Sequence, residues 1–171
     1  DGKLPEPKRI SPQELGSWTG RKDVAILDLR SDRVAFAAKH LRGALFAPMS
    51  GGKLPVAAGS YVGENARILL VVEDGSQVGE AVRQLVRIGL DHVDAWITAD
   101  EALSNPEFTA SYPLIMTAEI PAGEAVLDVR GADEFAAGHV SGAKNIAYTR
   151  LAARLDEMPA GSPLFVHCGS G

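Results

Sequence analysis

The stretch "VAILDLRSDRVAFAAKHLRGA", Val24 to Ala44, returns later in the chain as "AVLDVRGADEFAAGHVSGA", Ala125 to Ala143. Asp28 matches Asp128 and His40 matches His139, with one residue fewer between the landmarks in the second copy. Each copy reads as an apolar strand, an Asp-x-Arg at its end, a short helix with an aromatic residue and two alanines, then His-x-x-Gly-Ala. Self-similarity of this kind marks a duplicated structural unit. The match continues downstream. The β-type run Arg67 to Val72 ends in Glu73-Asp74-Gly75-Ser76, and the run Pro163 to His167 ends in Cys168-Gly169-Ser170-Gly171. Strands alternating with helical segments point to an α/β fold, here two modules, each a mainly parallel sheet flanked by helices.

The clearest helix follows Ser76. Val78, Ala81, Val82, Leu85 and Val86 fall on one face, with Glu80, Arg83, Gln84 and Arg87 opposite. Gly89 reads as its C-terminal stop, and a last strand spans His92 to Ile97. The segment Thr98 to Tyr112 links the copies, with the expected break at Asn105-Pro106. The proline-bearing start reads as an incoming linker over residues 1–10. A first module is expected over 11–105 and a second over 112–171. The second copy has no counterpart of the segment Ser76 to Ile97, so it is expected to be incomplete on its C-terminal side. Lacking that helix and strand, a sheet exposes apolar surface and unpaired edges.

Composition narrows the function classes. With 17 basic against 22 acidic residues the net charge is −5, which gives a nucleic-acid role no electrostatic support. The longest apolar runs, such as Ile68 to Val72, fall far short of a membrane span. The chain starts at Asp1 with no signal-peptide pattern, and reads as a tagged or proteolytic fragment or a piece of a longer chain. A single cysteine allows no internal disulfide, so a reducing, cytoplasmic setting is expected. His40, His92, His139 and His167 lie far apart in sequence, and no metal-ligand pattern or other cofactor motif is present.

Attention therefore falls on that one cysteine, Cys168. A parallel strand running into a glycine-rich turn places the turn at the carboxyl edge of the sheet, where ligands bind in open α/β folds. Successive backbone N–H groups of such a turn converge on a concavity that favours an anion. A thiol there is expected to ionise nearer neutrality or below it, against about 8.5 when unperturbed. The result is a thiolate nucleophile with donors already in place for an anionic adduct. Gly169 and Gly171 suit a turn whose amides all point inward. Against this, an unlinked cysteine is most often a small buried hydrophobe. Its position on a Gly-Ser-Gly turn, outside the strand, weighs against burial.

The run "LDVRGADEFAAGHVSGAKNI", followed by "FVHCGSG", resembles a rhodanese-homology domain, and both copies carry the resemblance across nearly the whole chain. The resemblance implies that Cys168 takes a sulfane sulfur from a small donor, becomes a persulfide, and passes the sulfur to a thiol or other nucleophile. Gly169, Ser170 and Gly171 would begin its anion-binding cradle. The first copy departs from the family: Glu73 or Asp74 stands where the cysteine belongs, and a carboxylate carries no persulfide, so this module is expected to be inactive. Asp128 and Arg130 are expected to brace the fold near the site, with Arg130 able to pair with Glu134. His40 and His139 read as structural, and Trp18 and Trp96 as core. His167, a supporting residue on the opposite side of the strand from Cys168, is expected to pack, with tuning of the thiol as the alternative.

A dead module before a live one also resembles the C-terminal rhodanese pair of proteins fused to a metallo-β-lactamase-fold domain. That resemblance implies such a domain, with its own metal, as a partner in the same parent chain. Three other readings stay open. Mercaptopyruvate sulfurtransferases also begin their loop Cys-Gly-Ser-Gly. Cysteine phosphatases share His-Cys-x-x-Gly. A non-catalytic interaction or sulfur-sensing module would need no persulfide. Homo-oligomerisation is compatible with all of them.

Overall fold

The structure, a computed structural model, describes residues 3–169. It divides into two compact units, Asp1–Pro113 and Leu114–Gly171. The first unit contains strands β1 (Lys8–Arg9), β2 (Val24–Asp28), β3 (His40–Leu41), β4 (Leu45–Phe46), β5 (Arg67–Val72), β6 (Val93–Thr98) and β7 (Thr109–Ala110). Its helices are α1 (Arg33–Ala38), α2 (Lys53–Tyr61), α3 (Val78–Val86) and α4 (Ala99–Ala102). The second unit contains β8 (Ala125–Asp128), α5 (Ala132–Ala137), β9 (Lys144–Asn145), α6 (Tyr148–Leu151) and β10 (Leu164–His167).

The main sheet of the first unit runs β1-β6-β5-β2-β4, with every pair parallel. β5 sits in the middle, and its continuous apolar run "ILLVV" is buried on both faces, as a central parallel strand requires. Ile68, Leu70 and Val72 point to one face, against Leu54 and Ala58 of α2 and Val78, Ala81, Val82 and Leu85 of α3. Leu69 and Val71 point to the other, against Ile10, Leu15, Trp18 and the alanines of α4. The buried face of α3 is the one its 3.6-residue period predicts. Its chain reversal ends at Gly89, whose φ of +81° lies in the left-handed region that favours glycine.

Three sequence expectations need correction here. Residues 1–10 are not simply linker: Lys8–Arg9 pairs in parallel with β6, and Ile10 is buried beneath it. A two-residue edge strand carries too little pattern to show in sequence. Asn105-Pro106 lies inside the first unit, because β7 pairs antiparallel with β3 and the Tyr112 N–H donates to the Ala37 carbonyl. Trp18 is buried, but Trp96 is only partly so. It lies beside the short β1, and the Arg9 guanidinium stacks over its ring at 5.3 Å.

The second unit repeats the centre of this plan. β8 pairs in parallel with β10 on one side and β9 on the other, as β2 does with β5 and β4. Among the described residues it has no counterpart of α3 or β6. Its buried residues there are Val126, Leu127, Asp128 and Ile146, and Val166 on β10 is 60 % exposed.

The Asp-x-Arg motif does the same job in both units. Asp28 is fully buried at the end of β2, and Arg30 donates to it from Nε at 3.0 Å and from Nη2 at 2.8 Å. Nη2 also donates to the Lys39 carbonyl at the end of α1, at 2.8 Å. In the second unit Arg130 donates to Asp128 at 3.0 and 2.6 Å, and to the Gly138 carbonyl after α5 at 2.7 Å. Strand end, turn and helix end are thereby stapled together. The histidines close each helix in the same way: Nδ1 of His40 donates to the Phe36 carbonyl and Nδ1 of His139 to that of Phe135. Each imidazole stacks on the same phenylalanine, with ring centroids 4.3 and 3.7 Å apart.

Removing one partner of a buried, hydrogen-bonded ion pair leaves the other uncompensated. Asp28→Asn is therefore expected to cost the first unit about 3–5 kcal/mol, measured by urea unfolding. Asp128 has its own pH signature. The Arg130 hydrogen bonds hold its carboxyl below the ordinary 3.8, outweighing the opposite pull of burial. A carboxylate with a depressed folded-state pKa adds stability that is present above the unfolded value and lost as pH falls through the folded one. Unfolding of the second unit followed from pH 7 down to 3 should show this loss below about pH 4, and Asp128→Asn should flatten it.

Candidate functional site

The geometry around Cys168 starts from strand register. His167 ends β10 directly opposite Asp128, and the His167 carbonyl accepts the Val129 N–H at 2.9 Å. Cys168 follows as the chain leaves the carboxyl edge of the sheet, and its side chain is half-buried. Gly169 then passes close to two side chains. A Cβ built on it would stand 3.3 Å from Glu134 Oε1 and 4.0 Å from the Arg130 Cδ and Cγ. The turn thus rests on the stapled arginine and on the first turn of α5. A larger residue at 169 would have to push Glu134 aside. Ser170 and Gly171, the remaining predicted cradle residues, lie outside the described residues.

Arg130 takes a different partner from the one expected. Its guanidinium is committed to Asp128 and the Gly138 carbonyl, and Glu134 Oε2 instead accepts the Gly131 N–H at 3.3 Å, at the start of α5. A residue two positions away across the strand end outcompetes one four positions away because its carboxylate is buried and both its oxygens face the guanidinium. The same hydrogen bonds to Asp128 raise the Arg130 pKa above its ordinary value.

His167 also departs from the expectation of simple packing. Its ring projects to the same face as Asp128, and Nδ1 stands 3.3 Å from Asp128 Oδ2. That nitrogen is buried and lacks hydrogen-bond geometry with any described group. The ring lines a shallow cleft of about 330 Å³ together with Thr117, Arg130, Gly138, His139 and Val140. Asn145, whose position no chemical motif flagged, donates from Nδ2 to the Asp128 and Arg130 carbonyls at 3.0 and 2.9 Å. It lies two residues beyond the repeated pattern, the first unit has Phe46 at the matching position, and its role depends on β9 lying beside β8, a non-local fact.

Register also decides what replaces the cysteine in the first unit. Asp28 lies opposite Val71 as Asp128 lies opposite His167, and the Leu29 N–H donates to the Val71 carbonyl as Val129 does to that of His167. The residue matching Cys168 is therefore Val72, not Glu73 or Asp74. Val71 and Val72 are both fully buried. Glu73 accepts from the Ser31 N–H and hydroxyl at 3.2 and 3.1 Å. Asp74 caps the following turn by accepting the Ser76 N–H at 2.8 Å, and its hydrogen bonds to Ser76 lower its pKa. The first unit still offers no nucleophile at this point, for a different reason: an apolar side chain fills it.

Among the described residues no three His, Cys, Asp or Glu side chains converge as metal ligands. No described helix is long and apolar enough to cross a membrane.

Comparison with known proteins points the same way for the second unit. Residues 115–171 match the sequence profile of the rhodanese-like domain. No curated protein matches the chain significantly. Among solved structures, the Alr3790 protein from Anabaena sp. is 23% identical, with a TM-score of 0.47 over 60% of this chain and 88% of that one. Wild-type EanB is 16% identical, with a TM-score of 0.51 over 86% of this chain and 42% of that one. The anaerobic ergothioneine biosynthesis enzyme from Chlorobium limicola, solved with its natural substrate trimethyl histidine, is 16% identical, with a TM-score of 0.50 over 83% of this chain and 41% of that one. The chain thus spans about two fifths of the last two proteins, and the likeness to them is one of fold. Profile and architecture together make residues 115–171 a rhodanese-like domain.

Proposed function

We propose that the chain is a rhodanese-type sulfurtransferase in which Cys168 carries sulfane sulfur as a persulfide. The observation that carries this reading is the position of Cys168. It leaves the carboxyl end of a parallel strand onto a glycine turn within a rhodanese-like domain, where the duplicated first unit has only Val72. The Cys168 thiolate attacks the sulfane sulfur of thiosulfate or of a low-molecular-weight persulfide. The donor's S–S bond breaks, and sulfite or the donor thiolate leaves with the electron pair. An acceptor thiolate then attacks the terminal sulfur of the Cys168 persulfide. The bond between Cys168 Sγ and that sulfur breaks, Cys168 is released as thiolate, and the acceptor leaves as a persulfide. The backbone N–H of Gly169 is the described donor nearest the thiol in sequence that can stabilise the anionic sulfur.

No cofactor takes part in these steps. The first unit, with Val72 in the place of the cysteine, carries no sulfur, and a reducing cytoplasm keeps the single thiol reduced. A metallo-β-lactamase-fold domain in the same parent chain is the partner that the tandem arrangement suggests, and the reading frame upstream of Asp1 tests it.

Intact mass spectrometry checks the carrier step. Exposure to thiosulfate or glutathione persulfide should add one sulfur atom per chain, reversed by reductant and abolished in Cys168→Ser. Sulfur uptake that survives in Cys168→Ser would overturn the assignment, as would a wild-type chain that takes up none.

A further inference from the structure

We infer that His167 is a positioning residue for Cys168, acting through Asp128. This rests on the sulfur-carrier reading above but goes beyond it. The starting observation is a buried nitrogen, His167 Nδ1, that has no hydrogen bond among the described residues yet stands 3.3 Å from Asp128 Oδ2. A buried polar atom left in this state calls for an explanation. Packing alone does not supply one, because an apolar residue would fill the place without an unmet donor or acceptor.

The first unit supplies an internal control. The position matching His167 is Val71, fully buried, and there the Asp28–Arg30 staple is intact with the same partners and nearly the same distances. The staple therefore has no need of a histidine opposite its carboxylate. On the strand beside the staple the two units differ at two consecutive positions, Val71-Val72 in one and His167-Cys168 in the other. The imidazole accompanies the thiol, and neither is required by the fold they share.

The groups facing His167 define what it can do. From β8 comes the Asp128 carboxylate, and from the turn after it the Arg130 guanidinium. His139, Val140 and Thr117 complete the cleft. Asp128 already accepts from Arg130 at both oxygens, and Oδ2 faces Nδ1 as well. A small rotation of the ring turns this contact into an Nδ1–H···Oδ2 hydrogen bond. Such contacts are often long at rest and tighten when reactants bind. The bond would pin the last residue of β10 to the stapled strand end and fix the direction in which Cys168 leaves the sheet. Small misplacements of a reacting atom are costly to the chemical step.

The test compares His167→Val and His167→Asn with the wild-type chain. Two rates are read: alkylation of Cys168 by iodoacetamide, which needs no sulfur transfer, and turnover with thiosulfate. His167→Val takes the residue that the first unit uses, so its thermal unfolding midpoint is expected to equal or exceed that of the wild type. Its alkylation rate and kcat should fall by about tenfold or more while KM stays within about twofold, the pattern of a lost transition-state interaction. His167→Asn places an amide N–H near the position of Nδ1 and should restore most of the rate. Wild-type rates in His167→Val would overturn the proposal. So would a loss accompanied by a lowered unfolding midpoint and no rescue by Asn, which marks a purely structural role. A wild-type chain that takes up no sulfur sinks the carrier reading instead, and the alkylation rates still decide the role of His167.

Discussion

A fully buried carboxylate at the end of a strand organises each unit. Burying Asp28 or Asp128 alone would be prohibitive, and the arginine two residues on makes it tolerable by donating to both oxygens. The same guanidinium then reaches the carbonyl that ends the next helix. One side chain thereby fixes the strand, the turn and the helix against one another. The histidine stacked on the helix phenylalanine closes the far end of that turn. A segment of about twenty residues becomes a rigid corner, and the β5 or β10 strand docks beside it in a register that leaves little freedom.

On that corner the two units diverge at their most consequential place. In the first, Val71 and Val72 extend the apolar core to both faces of the sheet, with α3 and α4 packed around them. In the second, His167 and Cys168 occupy the same two positions and remain half-buried. The imidazole turns toward the buried aspartate, and the thiol follows just beyond the strand end. The Asp–Arg corner is common to both units, while the strand beside it ends in a packed apolar pair in one and in a histidine and a thiol in the other. Gly169 also lies close to Glu134, whose Oε1 would have to shift slightly to admit a side chain there.

Much of this was legible in the sequence. The doubled Asp-x-Arg and His-x-x-Gly-Ala pattern announced a duplicated α/β unit, since both motifs are local and hold their spacing. The α3 face and the buried β5 run followed from periodicity. Cys168 stood out because a thiol on a glycine turn is chemically unusual. The readings that failed depended on pairing between distant segments. Lys8–Arg9 is a strand because β6 offers an edge, and β7 belongs to the first unit because β3 does. Closer at hand, Arg130 gives its carboxylate hydrogen bonds to the buried Asp128 rather than to Glu134.

The sequence by itself determined the kind of fold, the repeated motifs, and the place of the single thiol. These are properties of composition and short-range spacing, which survive without coordinates. Only the tertiary structure decided that Val72, rather than Glu73 or Asp74, stands in the place of Cys168, and that His167 turns its ring to Asp128. Both facts belong to the register of parallel strands. A shift of one residue there exchanges the two faces of the sheet, and nothing within the strand's own sequence records which neighbour it will meet.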